Sequence, residues 1–160
     1  TTIDKLKVII PPENRLDLVV KRNEGLKKLK IMIAEDNKIN MLLLKTIIKN
    51  IFTEAEIFEV FNGKDAAEQF ESINPDIVFM DIQMPIMNGY EATKSIRNLA
   101  SGKKVPIIAV TAGVEKEEKI KCIEAGMNDH ISKPIMKGAI EETIIKKIEK
   151  KRETPRGTTK

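Results

Sequence analysis

Four short strand-like runs in this 160-residue chain each end on a polar group able to do chemistry. Glu35-Asp36 follows residues 31–34, Asp81 follows 76–80, Thr111 follows 105–110, and Lys133-Pro134 follows 129–132. In an open parallel α/β sheet the strand ends share one edge, and ligands bind in the crevice outside it. Three carboxylates, one hydroxyl and one ammonium would then meet in a single place. Hard carboxylate oxygens suit a divalent cation, and an ammonium with a hydroxyl suits the oxygens of a phosphoryl group. Singly, each has a plainer explanation. An acidic pair after a strand commonly caps the next helix, and Asp36 is placed to do so. Asp81 reads equally as a cap, Thr111 as a loop hydroxyl and Lys133 as a solvated charge. Four coincidences at four strand ends are less economical than one site.

The elements that must position these groups alternate from Lys30 onward. After the run at 31–34, Leu43, Leu44, Ile47, Ile48 and Ile51 recur at helical spacing within 40–52 and read as that helix's core stripe. A strand at 57–61 precedes a short helix marked by Ala66, Ala67, Phe70 and Ile73. The strand at 76–80 precedes a helix over 90–99, and the strand at 105–110 a charged helix over about 114–125 that stops at Gly126. Residues 129–132 form a fifth strand, and Ile140, Ile144 and Ile148 line a last helix. Asn62-Gly63 and Asn88-Gly89 have the look of hairpin turns, but helical spacing follows both, so they read as loop-to-helix entries. The strands lack polar alternation, as expected when both faces are covered. Right-handed crossovers then favour an α/β fold, a (βα)5 doubly wound five-stranded parallel sheet in the order 2-1-3-4-5.

Length and charge narrow the field. One core is expected, not two. The formal charge of +4 comes from the ends: residues 1–29 hold seven Lys/Arg against four Asp/Glu, and 151–160 hold four against one. Residues 30–150 carry 17 basic and 19 acidic groups, which argues against a nucleic-acid face on the folded part. Cys122 is the single cysteine, so neither an internal disulfide nor a cysteine metal cluster can form. No run approaches the ~20 apolar residues of a membrane span, and no signal-peptide pattern is present. These features fit a reducing, cytoplasmic setting without direct membrane contact, whatever the attachment of a parent protein. The chain opens on Thr1, so a piece of something longer is expected. Residues 1–28 read as a linker or the end of an upstream domain, 29–150 as the folded domain, and 151–160 as a disordered tail.

The chain resembles the receiver domains of two-component response regulators, and most of all those attached to hybrid histidine kinases. The resemblance is carried by Ile-Ala-Glu35-Asp36-Asn37, by Phe-Met-Asp81-Ile-Gln-Met-Pro85-Ile-Met-Asn-Gly89-Tyr-Glu91-Ala, by Ala-Val-Thr111-Ala and by Ile-Ser-Lys133-Pro134. It covers roughly residues 29–150 and implies a flavodoxin-like fold. Each motif alone is weak; all four in this order are specific.

The chemistry and the resemblance agree on roles. A carboxylate attacks phosphorus only when charge repulsion is suppressed, which Mg²⁺ does by binding both partners. Asp36, Asp81 and the backbone carbonyl of Gln83 are the expected direct ligands, with Glu35 acting more through water. Asp81 is the expected phosphoacceptor, Lys133 and Thr111 the groups that meet phosphoryl oxygens, and the resemblance implies a cis peptide between Lys133 and Pro134. It also implies a switch in which Thr111 moves toward the phosphoryl group and the residue three before the lysine follows. Here that residue is His130, where the family carries Phe or Tyr, which adds the prospect of pH sensitivity. On the first helix Asn37, Asn40 and Met41 are the expected contacts for a phosphodonor, Met41 as an exposed residue outside the core stripe.

The expected partner is a histidine kinase or histidine phosphotransfer domain. The output face is the fourth helix, fifth strand and fifth helix, also a candidate homodimer surface. Three rivals stand behind this reading. A phosphorylation-independent scaffold with the same fold usually loses one of the hallmark groups, and all are present here. A Mg²⁺ phosphatase would want a second acid where Gln83 stands. A flavin-binding protein would want a phosphate-binding loop after the first strand.

Overall fold

The computed structural model describes residues 29–113 and 115–153, with side chains through Lys147. The expected linker at 1–28 and the tail beyond Glu153 lie outside them. Among the described residues, one compact unit ends at Ile140 and carries the sheet, and the remainder of the last helix, from Glu141, falls in another.

Five strands and five α-helices alternate among the described residues: β1 Lys30–Ala34, α1 Lys38–Ile51, β2 Glu56–Val60, α2 Gly63–Ile73, β3 Ile77–Asp81, α3 Gly89–Asn98, β4 Ile107–Thr111, α4 Lys116–Ala125, β5 Asp129–Ser132 and α5 Lys137–Glu153. The strands are all parallel in the order β2-β1-β3-β4-β5. β3 and β4 are buried at every residue, as their unbroken apolar sequences Ile-Val-Phe-Met and Ile-Ile-Ala-Val require. Side chains alternate between the two faces. Met32, Ala34, Val78, Met80, Ile107 and Ala109 join Phe70, Ala92, Ile96 and Cys122 of α2, α3 and α4 in one core. Ile31, Ile33, Phe79, Ile108 and Val110 are buried on the opposite face. Each fully buried side chain of this size stabilises the fold by about 1.5–3 kcal/mol before entropy is counted.

Three helices begin on an asparagine for the same reason: a short side-chain oxygen satisfies backbone N–H groups that have no partner within the helix. Asn37 accepts from Ile39 and Asn40, Asn62 from Asp65, and Asn88 from Glu91, whose own carboxylate accepts in return from the Asn88 N–H. The loop-to-helix reading of Asn62-Gly63 and Asn88-Gly89 holds. The expected cap at Asp36 does not; the cap is one residue later.

That shift has a larger counterpart in α1. Its buried residues are Met41, Leu44, Ile48 and Ile51, while Leu43 is 42% exposed and Ile39 and Leu42 are 78% and 64% exposed. Met41 is therefore a core residue, 2% exposed, and the expectation of an exposed Met41 is corrected. Leu43 and Leu44, and Ile47 and Ile48, are adjacent apolar pairs, so composition alone leaves the stripe's phase open by one residue. Spacings of three, four and three from Met41 set it.

The helix ends are held as firmly. α4 stops where Gly126 adopts φ 105°, with its N–H donating to the carbonyls of Cys122 and Ile123. Its carbonyl accepts from Arg97 of α3, at 2.9 Å from Nε and 2.8 Å from the guanidinium NH2 group. The same guanidinium donates to the carbonyls of Gly102 and Val105 and to Asn128 Oδ1, which in turn accepts from the Ile107 N–H. One planar fork thus ties α3, the far end of α4 and the entrance of β4 together. α5 reaches Glu153, three residues beyond the expected boundary at 150.

Candidate functional site

At the carboxyl edge of the sheet, β1 gives way to Glu35, whose N–H donates to the carbonyl of Val60, the last residue of the neighbouring β2, at 3.0 Å. Asp36 follows, exposed, before the Asn37 cap. Asp81 closes β3 opposite Val110, and Thr111 closes β4 opposite Ser132. Lys133 follows directly, and its N–H donates to the Thr111 carbonyl at 2.7 Å. Parallel register alone therefore brings four distant segments to one place.

Their side chains converge there. One carboxylate oxygen from each of Glu35, Asp36 and Asp81 lies within 4.8 Å of the others. Lys133 Nζ stands 3.3 Å from Glu35 Oε1 and 3.4 Å from Asp81 Oδ1. Glu35 and Asp81 are 3% and 5% exposed, so water screens neither well. Burial pushes the Glu35 carboxyl above the usual carboxylate range, and the hydrogen bond and charge of Asp81 add to that; the Asn37 N–H and Lys133 pull the other way. One ammonium cannot offset three carboxylates. A small divalent cation with a preference for oxygen ligands fits both the donor set and the surplus charge.

The remaining expected residues divide. The Lys133–Pro134 peptide is cis. The Thr111 hydroxyl is buried and turned to its own loop, donating to the Gly113 carbonyl and accepting from the Gly113 N–H. Gln83 is exposed and lines an open cleft with Asp36, Ile82, Met84, Pro85, Asn88, Tyr90, Glu118 and Lys121. His130 is half-buried on β5 opposite Ala109 and lines a small crevice with Thr111, Gly113, Glu118, Lys119 and Cys122. Asn37 and Asn40 remain accessible at the start of α1, and Met41 does not.

Sequence reasoning missed the α4 contribution. Glu118 and Lys121 reach the cleft wall, but a helix in which most side chains are charged offers no signal to single them out. Tyr90 packs from α3 against Cys122. Its hydroxyl is pushed up to about 12 by burial, with the neighbouring Cys122 and Glu118 adding to the effect.

Residues 31–145 match the family model for the response regulator receiver domain, and the chain belongs to that family. Hybrid signal transduction histidine kinase L of Dictyostelium discoideum is 40% identical over 124 residues, covering 74% of this chain and 7% of that protein. Sensor histidine kinase GacS of Pseudomonas protegens is 32% identical over 120 residues, covering 73% of this chain and 13% of that protein. The chain thus spans a small part of the length of these relatives. Among solved structures, the receiver domain of sensor histidine kinase PA1611 from Pseudomonas aeruginosa has a TM-score of 0.71 and 29% identity, covering 77% of this chain and 99% of that one. That crystal structure has a magnesium ion coordinated in the active site cleft. The fold and the receiver assignment expected from the motifs are both borne out.

Proposed function

We propose that this receiver takes a phosphoryl group from a phosphohistidine onto Asp81, and that it does so as a segment of a hybrid histidine kinase. The observation that carries the reading is the meeting of Glu35, Asp36, Asp81 and Lys133 at one sheet edge. Asp36, Asp81 and the Gln83 carbonyl would hold Mg²⁺ directly, and Glu35 through water. The cation would supply the charge neutralisation that lets a carboxylate approach a phosphoryl group.

The chain's own residues do the rest. An Asp81 Oδ forms a bond to phosphorus as the P–N bond to the donor imidazole breaks, and that nitrogen keeps the bonding pair. Lys133, ion-paired to Glu35 and Asp81 beforehand, turns its ammonium to a phosphoryl oxygen. Thr111 exchanges its Gly113 carbonyl for another phosphoryl oxygen, and His130, sharing the crevice with it, responds to that move. The resulting population shift is read at α4 and β5, where Ile120 and Ile123 are exposed and a partner or a second copy of the chain can pack. Donor docking falls to Asn37, Asn40 and the exposed Ile39, Leu42 and Leu43 of α1. The module assists only its own phosphorylation and hydrolysis and acts on no external substrate.

The test is intact-protein mass after incubation with Mg²⁺ and acetyl phosphate, beside Asp81→Asn. One labile phosphoryl adduct that needs Mg²⁺ and is absent from the variant is expected. An adduct that survives in Asp81→Asn would overturn the choice of acceptor. A wild-type protein that takes no phosphoryl group, where a control receiver does, would overturn the reading.

A further inference from the structure

An aspartyl phosphate on Asp81 ends when water attacks it, and that water must come from the open side of the cleft, in line with the bond to be broken. The cleft is lined by Asp36, Gln83, Met84 and Pro85 together with Glu118 and Lys121 of α4. Gly113, two residues past Thr111, brings no side chain to it. A Cβ added at Gly113 would meet one atom within 4 Å, Glu118 Oε2 at 3.8 Å. Glu118 also lines the crevice that contains Thr111 and Gly113, so its carboxylate spans both spaces. Position 113 thus has room for a side chain, and Glu118 of α4 stands at ordinary contact distance from where it would begin.

We propose that Glu118 is the water-orienting group of phosphoryl hydrolysis in this receiver and sets how long the phosphorylated state lasts. The inference rests on Asp81 as the acceptor. Its carboxylate accepts a hydrogen bond from the attacking water and points the oxygen lone pair at phosphorus. The water oxygen bonds to phosphorus as the Asp81 Oδ–P bond breaks; Asp81 leaves as a carboxylate with the bonding pair, and both water protons end on the released phosphate. Glu118 carries no proton away. The ordinary alternative is a solvated helix charge facing Lys121 three residues on, which pairs the same charges without touching the reaction.

A carboxylate supplied from position 113 instead of 118 separates the two. The full chain is phosphorylated with acetyl phosphate and Mg²⁺, freed of donor by desalting, and followed by intact mass as the adduct decays. Glu118→Ala is expected to slow decay about fivefold, the rate equivalent of one well-placed hydrogen bond. Adding Gly113→Glu to that variant is expected to bring decay back to within about twofold of wild type, because position 113 has room for a side chain. Should Glu118→Ala fail to fold, the isosteric Glu118→Gln is read in the same way, with about twofold slowing expected because a neutral amide accepts more weakly. Decay at the wild-type rate in the position-118 variant, or no rescue by Gly113→Glu, would overturn the inference while leaving Asp81 as acceptor. A wild-type chain that forms no adduct overturns the acceptor reading and this inference with it.

Discussion

Single residues in this chain show where local preference gives way to the site. Ile86 stands at φ 71° with the Met87 N–H donating across it to the Pro85 carbonyl at 2.7 Å, a three-residue turn of the uncommon left-handed kind. A β-branched side chain is poorly suited to that conformation, and Ile86 is 77% exposed, so packing returns little. Ile86→Gly is expected to raise stability by about 1 kcal/mol, measured as a higher urea midpoint with unchanged slope. Nothing in the sequence announces this turn, because Pro-Ile-Met reads as ordinary apolar chain. Asp81 and Thr111 were legible for the opposite reason, each a polar group closing a run of apolar ones, and Lys133 through the Pro134 that follows it. Glu118 was not, since its place depends on how α4 leans over Gly113 and no local pattern encodes that.

Elements were legible where period and punctuation agreed. The strand order followed from five short strand-like segments separated by helical ones, and the strand limits moved by one or two residues because register with the neighbour sets them. Asp76, for example, leaves the strand to accept from the Lys30 N–H at 2.8 Å. α1 was misphased because paired leucines and isoleucines blur a 3.6-residue stripe. α5 runs to Glu153, past the domain boundary expected at 150, and its Lys, Glu and Arg residues are good helix formers although a polar sequence resembles a tail. The junction of β3 and α3 gives a prediction at this scale. A Cβ at Gly89 would collide with the Asp81 carbonyl oxygen and press on Ile82, so only glycine lets α3 begin against the end of β3. Gly89→Ala is expected to cost about 1–3 kcal/mol of stability by thermal or urea unfolding. It should also reduce the yield of Mg²⁺-dependent adduct, because the displaced strand end is the one that carries Asp81.

For the whole molecule the acidic edge is a debt of stability held against a cation. Glu35 is raised above the ordinary carboxylate range, chiefly by burial. A carboxyl raised in the fold stabilises it while protonated; that contribution is complete below the ordinary range and is lost as the pH rises through the raised value. As the pH rises through that value without a divalent cation, the fold comes to carry the buried charge. Glu35→Gln is therefore expected to unfold at a higher urea concentration than wild type at neutral pH in chelator, with the gap closing toward acid pH. An unchanged gap across that range would locate the effect elsewhere than in ionisation. The Arg97 fork has a consequence on the same scale. α4 is clamped at Gly126, while its first residue follows Glu115, which makes no side-chain cap bond. A rod fixed at one end and loose at the other behaves as a lever on a hinge. A nudge delivered near Thr111 enters at the loose end, and the fixed end converts it from a slide into a swing.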